Sequence, residues 1–554
     1  MKIIGITGSI ASGKTTVAHL MAGKKYPLFS ADKVVSSLYK NPFFNKILIK
    51  KFKLNKKEKI KEQIILILKN KSNLYKLESI IHPLVRKEMI KFLKKNYLYF
   101  ILFLILVPIL ISQKYHEDFG YYHLPYVISM IENKIIFGLA NSNIAFSHNS
   151  IWLNTISIFS LPNNNFNFLT LPVFLIYFIF ISFSLKKIFA SPKKIPSTYF
   201  LIICLFYFIL KFTRISEYGN DIPAIIFSVL TIFYFLKYSE TKIREKKNFY
   251  FFYCFSFAIF GILIKFSVIP IFLLPLCLFC SNINVLKKEI FKLKFIFIFI
   301  LGLVFFIQQF VYTGCLFFPL KFTCLEINWF NYDFLLLREN LELNNKSYSS
   351  ASDAMSRKDY LSNFNWLPFW FDRNYPEILE HISTMLIPII LLIVLSHKEK
   401  NKIKLVFKYK IFFYIFIFLS FVFWLKFSPV YRFAIPYFLT FFFLIFLKSY
   451  INNKFSIKIF LILIIFSLSF NFSKNILRIS DKKEVFLGIE KIDNKFFIDQ
   501  SSINEFILVH RPDIKNNKNG WQGRLCWDIS FICSYNKIKV DKKYSYLFLT
   551  KLSN

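Results

Sequence analysis

Long apolar stretches are the feature that most limits how this 554-residue chain can fold. Hydrophobic residues make up 55% of the sequence and phenylalanine alone fills 74 positions. This composition excludes an ordinary soluble enzyme, a disordered chain and a disulfide-dense secreted scaffold. A polytopic protein in a lipid bilayer remains. About eleven spans are predicted, near residues 97–111, 168–185, 198–212, 222–236, 249–264, 267–280, 295–312, 382–396, 411–425, 433–447 and 456–471.

The positive charges indicate how these spans are oriented. With the N-terminus in the cytoplasm, the predicted inner loops carry 22 lysines and arginines, whereas the three short outer loops carry 2, 1 and 2. The positive-inside rule therefore predicts a multi-pass protein of the inner (cytoplasmic) membrane with a cytoplasmic N-terminal domain. The formal charge of +40 reflects this topology and a lysine-rich composition. No nucleic-acid partner is predicted.

Three domains follow from this arrangement. Residues 1–96 form a soluble segment, residues 97–471 form the transmembrane domain, and residues 472–554 form an extracytoplasmic C-terminal region. The transmembrane domain has two large outer loops, 114–167 and 313–381. The predicted fold class is multi-domain, with a partial α/β P-loop (Rossmann-like) segment, an all-α polytopic bundle and a small α+β or β tail.

Four cysteines fall in the predicted outer segments. Cys315 and Cys324 lie in one large loop, and Cys526 and Cys533 lie in the tail. Both pairs are predicted disulfides in an oxidising compartment. Free thiols are the alternative, because sequence spacing does not define geometry.

The N-terminal segment begins with a phosphate-binding pattern. Gly8 to Thr15 reads GSIASGKT and fits G-x-x-x-x-G-K-[ST], between a predicted strand, Ile3–Thr7, and a predicted helix, Lys14–Ala22. Backbone N–H groups and the helix N-terminus would bind the phosphates of ATP, with Lys14 neutralising charge and Thr15 holding Mg²⁺. A chance match by a glycine-rich turn is the alternative. The predicted ATP-binding residues are Gly8, Ala11, Ser12, Gly13, Lys14, Thr15 and Thr16.

Three stretches of this segment resemble dephospho-CoA kinase. They are ITGSIASGKTTVA at 6–18, FSADKVV at 29–35 and LESIIHPLVR at 77–86, in the order and spacing of that family. The resemblance implies a transferase that uses ATP and Mg²⁺ to phosphorylate the ribose 3′-hydroxyl of dephospho-CoA. That reaction is the last step of coenzyme A synthesis.

The resemblance also implies roles for individual residues. Asp32 would accept the proton of the attacking hydroxyl, with Lys14 on the phosphates; a helix N-cap is the alternative role for Asp32. Ser30 stands where the family has its first aspartate. His82 and Arg86 lie one helical turn apart and would contact substrate or pack the helix.

The resemblance covers only about the first half of the kinase. The family's arginine-bearing lid should follow residue 95, where an apolar span begins instead. A truncated sheet leaves an unpaired edge, so the sequence predicts ATP binding more strongly than turnover. The segment is then either a kinase-like module fused to a membrane protein or a passenger. An ATP-driven transporter is disfavoured, because no Walker B strand follows the loop.

The outer segment after the first span carries an acidic motif, HEDFGYYHLPY at 116–126. Ionisable groups beside a bilayer are costly unless they are solvated or used. The layout resembles the GT-C class of membrane glycosyltransferases, which take sugar from a polyprenyl-phosphate carrier. In that reading Asp118, or Glu117, is the base for the acceptor hydroxyl. His116 and His123 would help bind a metal or the carrier phosphate. A solvated loop is the alternative.

Other polar residues in outer segments are weaker candidates. Glu217 and Asp221 would extend the site, although a turn with a capping aspartate is simpler. Arg432 would pair with the carrier phosphate, or anchor its span at the interface, which we favour. Trp366 and Trp370, with Phe369 and Phe371, would stack on a sugar or form an interfacial belt, and the belt is favoured.

Overall fold

A computed structural model describes most of the chain. The chain divides into two compact units, Met1–Leu104 and Ile105–Asn554. The described residues are 14–22, 28–39, 41–55, 60–68, 70–112, 116–160, 168–190, 195–212, 218–318, 320–331, 333–352, 354–398, 409–454, 456–481, 497–501, 508–512 and 525–552.

The first unit is helical over its described residues. Ser30 caps α2 by accepting a hydrogen bond from the Lys33 N–H at 3.3 Å, and Asn41 caps α3 in the same way through Phe43. The predicted strand Ile3–Thr7 lies outside the described residues. The helices are α1 Lys14–Ala22, α2 Ala31–Leu38, α3 Pro42–Phe52, α4 Ile60–Ile67 and α5 Lys71–Ile111.

A small apolar core holds these helices together. Helices α3, α4 and α5 contribute its side chains, together with Leu54. Each fully buried aliphatic or phenylalanine side chain contributes about 1.5–3 kcal/mol by leaving water. The predicted boundary after residue 96 lies inside α5. The buried core residues are Phe44, Leu48, Leu54, Ile64 and Leu77.

The second unit is a helical bundle with short strands. Its helices are α6 Leu124–Glu132, α7 Ile151–Ser157, α8 Leu171–Ala190, α9 Pro196–Lys211, α10 Asp221–Glu240, α11 Arg244–Ile264, α12 Leu273–Ser281, α13 Ile283–Ile290, α14 Leu293–Thr313, α15 Asp333–Asn345, α16 Arg357–Leu361, α17 Leu367–Val394, α18 Lys410–Phe427, α19 Ile435–Asn452 and α20 Ile457–Ser480. Its strands are β1 Ile136–Phe137, β2 His397–Lys398, β3 Asn453–Lys454, β4 Phe497–Ser501, β5 Leu508–Pro512, β6 Ile538–Lys543 and β7 Tyr546–Lys551.

Within the described part of the chain, eight helices are long and apolar enough to cross a membrane. These apolar helices indicate a multi-pass membrane protein. All eleven predicted apolar runs coincide with helices, but three of those helices are shorter: Tyr99–Ile111, Pro196–Lys211 and Phe266–Ser281. The exact number of spans therefore stays a prediction. The eight helices are Leu171–Ala190, Asp221–Glu240, Arg244–Ile264, Leu293–Thr313, Leu367–Val394, Lys410–Phe427, Tyr431–Ile451 and Ile457–Ser480.

Helix α9 lies at the centre of the bundle. Every side chain from Ser197 to Ile209 is buried, because α8, α10, α17, α19 and α20 all pack against it. Its 16 residues span only about 24 Å at 1.5 Å per residue. Protein covers this helix on all sides, so its apolar character serves helix packing as well as the bilayer.

The three large segments predicted to lie outside converge in one region. Strand β1 of the first segment pairs in parallel with β7 of the tail, and β6 and β7 form an antiparallel hairpin. The Asn141 side-chain amide donates to the carbonyls of Trp329 and Leu549, both at 2.9 Å. These contacts join the first segment, the second loop and the tail. The predicted β-rich tail is confirmed as two small strand pairs.

Two of the predicted inner loops also meet. Strand β2 pairs with β3 in an antiparallel ladder, with His397 opposite Lys454. The cysteine predictions are likewise confirmed, because Cys315 is bonded to Cys324 and Cys526 to Cys533.

Candidate functional site

The acidic motif lies at the start of a wide helical turn. Asp118 immediately precedes a π-helical segment, Phe119–His123, which continues into α6. Single π turns are frequently found at functional sites, because they displace side chains from the regular helical register. Glu117 is exposed, whereas Asp118 keeps 34% of its side chain accessible. Of the two predicted bases, Asp118 is the one partly enclosed by protein.

Asp118 is held in its ionised form. Burial raises its pKa, but a hydrogen bond from His116 and the charges of His123, His116 and Arg432 outweigh burial, so that the pKa lies below its usual value. His116 Nδ1 lies 3.5 Å from Asp118 Oδ2. Asp118 and Glu117 in turn add to burial in raising the pKa of Tyr121.

No group of three or more potential metal ligands is found among the described residues. Both histidines of the motif interact electrostatically with the Asp118 carboxylate. His123 is buried, with its ring centroid 4.1 Å from that of Tyr122 and 6.4 Å from that of Tyr218.

A second carboxylate, that of Asp221, forms ion pairs with two cationic side chains. Asp221 is the first residue of α10, after the N-cap residue Asn220, so it is not the capping residue. It forms ion pairs with Lys265 and with Arg432, whose Nε lies 3.2 Å from Asp221 Oδ2. Lys265 also lies 3.8 Å from the ring centroid of Phe433. Arg432 therefore takes part in a cluster of charges, and its role as an interfacial anchor stays a prediction.

The two carboxylates share the same positive neighbours. His123 and Arg432 interact electrostatically with both Asp118 and Asp221. Burial lowers the pKa of Lys265, an effect that Asp221 and Asp118 oppose without cancelling. We define the charge cluster as Asp118, Asp221, Lys265, Arg432 and His123. Four separate parts of the sequence supply it.

Two tryptophan side chains hold the loop before Arg432 in place by hydrogen bonds. The indole N–H of Trp370 donates to the Pro429 carbonyl at 2.7 Å, and that of Trp424 donates to the Val430 carbonyl at 2.8 Å. Trp366 packs against Trp370 with ring centroids 6.1 Å apart, and both are buried. The predictions of an interfacial belt or a sugar-stacking surface are therefore wrong for these two residues, because both roles need an exposed ring.

The tail covers the acidic motif. Its disulfide-bonded loop places Trp527 directly on Gly120, and the Trp527 N–H donates to the Gly120 carbonyl at 2.9 Å. Tyr535 packs on Tyr121 with ring centroids 5.1 Å apart. The turn that bears Asp118 is thus clamped by residues about 410 positions away in sequence.

Sequence reasoning missed Lys265 and Trp527. A lysine between two apolar runs was the available signal for the first. The predicted residue Glu217 lies outside the described residues.

The kinase-like residues are only partly described. Gly8, Ala11, Ser12 and Gly13 lie outside the described residues, as do the side chains of Lys14 and Thr15, and Thr16 is exposed. Helix α1, Lys14–Ala22, holds the first described residues of the chain, so the phosphate loop itself stays a prediction.

Asp32, His82 and Arg86 are all exposed. Asp32 lies in the first turn of α2, whose N-cap is Ser30, so the alternative N-cap role of Asp32 is wrong. The exposure of His82 and Arg86 on α5 leaves both side chains accessible, in contrast to a role in helix packing.

Comparison with known proteins assigns a family. Residues 43–439 match the family described as "Domain of unknown function (DUF8201)". The chain belongs to this family. The match starts inside the kinase-like segment and continues through most of the helical bundle. Because the family carries no assigned activity, the resemblance to membrane glycosyltransferases stays a prediction.

A segment of about 100 residues is similar to dephospho-CoA kinases. The protein from Bartonella henselae is 40% identical over 100 residues, 17% of this chain and 49% of the relative. That from Fusobacterium nucleatum is 40% identical over 92 residues, 15% and 46% of the two chains. That from Rickettsia prowazekii is 33% identical over 121 residues, 22% and 63%. The chain thus spans about half the length of the first two relatives. No solved structure matches it.

Proposed function

We propose that the membrane unit is a glycosyltransferase whose donor is a sugar linked to polyprenyl phosphate. The single observation that supports this is the charge cluster, in which the partly enclosed Asp118 carboxylate interacts electrostatically with the two cations that pair with Asp221. Asp221, Lys265 and Arg432 have a combined formal charge of +1. That charge complements the single negative charge of a phosphodiester, as in a lipid-linked sugar.

The proposed chemistry divides the cluster between two roles. The acceptor hydroxyl attacks the anomeric carbon of the sugar, and Asp118 takes the hydroxyl proton. The bond between the anomeric carbon and the phosphate oxygen breaks, and polyprenyl phosphate leaves with the electron pair. Lys265 and Arg432 stabilise the charge that grows on the leaving phosphate. Glu117, which is exposed, takes no part in this scheme.

The donor-phosphate role is tested with the full chain in proteoliposomes that contain radiolabelled undecaprenyl-phosphate glucose or undecaprenyl-phosphate mannose. Lys265→Gln is expected to raise the KM for the donor by about tenfold, since a charge-assisted contact to phosphate contributes about 1.5–3 kcal/mol. The measurement is the release of labelled sugar from lipid.

Lys211→Gln is the matched control for this experiment. Lys211 also forms an ion pair at a helix end, with Glu380 at 2.7 Å, but not with Asp221. The KM of the Lys211→Gln variant for the donor should stay within about twofold of that of the unmodified protein. If the unmodified protein releases no sugar from either lipid, the proposed donor class is wrong.

We further propose that the kinase-like segment binds ATP and Mg²⁺ through Gly8, Ala11, Ser12, Gly13, Lys14, Thr15 and Thr16. The 40% identity to dephospho-CoA kinases supports this second function. Asp32 would be the base toward dephospho-CoA, and His82 and Arg86 would contact that substrate. The similarity covers about half the length of the relatives. Phosphate binding needs only the loop and the helix after it, so it is the part of the kinase activity that depends least on the other half.

Lys14→Ala is expected to weaken Mg²⁺-dependent binding of radiolabelled ATP to the detergent-solubilised full chain by at least about tenfold. The loop lysine supplies a direct charge to the β- and γ-phosphates. Lys76→Ala, an exposed lysine on α5, is the control and should bind ATP normally. Absence of saturable ATP binding in the unmodified protein would contradict the proposal. Phosphorylation of dephospho-CoA, lost in Asp32→Asn, would extend it to catalysis.

A further inference from the structure

A polar pocket lies in the second large loop segment, beside the charge cluster. Its volume is about 370 Å³, at the lower end of ligand-pocket sizes and enough for roughly one or two sugar rings. The end of α15, the turn after it and the start of α17 form its walls, and Val430 closes one side. Its polar lining residues are Asn344, Asn345, Ser347, Ser349, Arg373 and Asn374.

The pocket is lined by hydrogen-bond donors and acceptors and by one charged side chain. Arg373 donates to Ser349 Oγ at 2.7 Å, its one hydrogen bond within the described part of the chain, out of five N–H donors. The Asn374 side-chain amide donates to Ser347 Oγ and to the Trp370 carbonyl. These bonds use the amide N–H groups of Asn374, so its side-chain oxygen is left to accept from a ligand.

Amides and hydroxyls with one guanidinium suit a particular ligand chemistry. Each hydroxyl of a sugar both donates and accepts, as the amides and serines of the lining do. Arg373 is the only charged residue of the lining, and a guanidinium binds a carboxylate through two parallel hydrogen bonds. The pocket therefore matches a saccharide that carries a carboxylate better than a neutral sugar.

The pocket and the charge cluster share one short segment. Val430 forms a pocket wall, and Arg432, two residues later, pairs with Asp221. Two residues of extended chain span at most about 7 Å. The Trp370 and Trp424 indoles hold this segment through the Pro429 and Val430 carbonyls. A saccharide in the pocket would thus lie next to the proposed transfer site.

We propose that this pocket binds the acceptor as a saccharide bearing a carboxylate, with Arg373 as the residue that selects the acid. The assignment to the acceptor rests on the proposed transferase function. Saccharide binding by the pocket itself does not depend on it.

The test is saturation-transfer NMR on the full chain in detergent, with glucuronate and glucose as probes. Saturable binding is expected, with glucuronate bound at least about threefold more tightly than glucose. Arg373→Gln should abolish that preference. Asn344→Ala, an exposed lining residue, should weaken both sugars by a smaller factor without threatening the fold. Arg357→Gln is the control, because Arg357 bonds to Asn340 away from the lining and should keep the preference.

The outcomes separate the two proposals. Absence of saturable binding, or a preference that persists in Arg373→Gln, would overturn the pocket assignment even if sugar transfer from lipid is observed. Binding with the expected preference, but with no release of sugar from either lipid donor, would overturn the acceptor role and the transferase together. If transfer occurs, Arg373→Gln should raise the KM for an acidic acceptor by at least about fivefold at unchanged kcat.

Discussion

Asp118→Asn is expected to lower the rate of sugar transfer by about 10²–10⁴-fold, the range typical for loss of a general base. The amide cannot accept the proton of the acceptor hydroxyl. The donor should still bind, because its phosphate is proposed to contact Lys265 and Arg432. Initial rates of labelled-sugar release in proteoliposomes, measured over a range of donor concentrations, would show a fall in kcat with little change in KM.

Asp372→Asn is the control for this change, because Asp372 is an exposed aspartate on α17 outside the cluster. The pH profile adds a second readout. Since the pKa of Asp118 lies below its usual value, the ionised base persists to a lower pH than an ordinary aspartate would. His116→Ala removes the hydrogen bond that favours ionisation, so it should move the acid limb to higher pH. A transfer rate that survives Asp118→Asn would exclude Asp118 as the base.

Gly120→Ala is expected to unseat the tail from the acidic motif and to destabilise the protein by about 1–3 kcal/mol, as overpacking does. A Cβ at this position would lie 2.6 Å from two ring carbons of Trp527. The ring has little room to retreat, because the Trp527 N–H is bonded to the Gly120 carbonyl and its backbone already has a φ of +46°. Thermal unfolding in detergent, together with hydrogen exchange over residues 525–536, would measure the effect.

Gly302→Ala is the matched control, since a Cβ there meets nothing within 4 Å. Alanine inside a helix should leave stability unchanged or raise it by up to about 1 kcal/mol. A double variant sharpens the test, because Trp527→Ala should remove most of the penalty of Gly120→Ala if the two residues clash. Equal melting temperatures for Gly120→Ala and the unmodified protein would show that Trp527 does not rest on this glycine.

The elements that were predictable are those with a local signal. Apolar runs predicted every long helix of the bundle. The orientation inferred from the lysine-rich loops stays a prediction. The cysteine pairs were also predictable, because each pair falls within one segment that is predicted to lie in an oxidising compartment. Trp366 and Trp370 failed as predictions because exposure is not written in a sequence; both rings are buried by contacts from other parts of the chain.

The site itself divides along the same line. Hydrophobic runs, a phosphate-loop motif and adjacent acids are local patterns, so they already predict a multi-pass membrane protein with a kinase-like segment and mark Asp118 as a candidate. The charges that act on that carboxylate depend on tertiary contacts. Asp221, Lys265 and Arg432 lie 44 or more positions apart in sequence. They meet because helix packing brings together the start of α10, the end of α11 and the turn before α19. Electrostatic attraction depends on distance in space and not on distance along the chain.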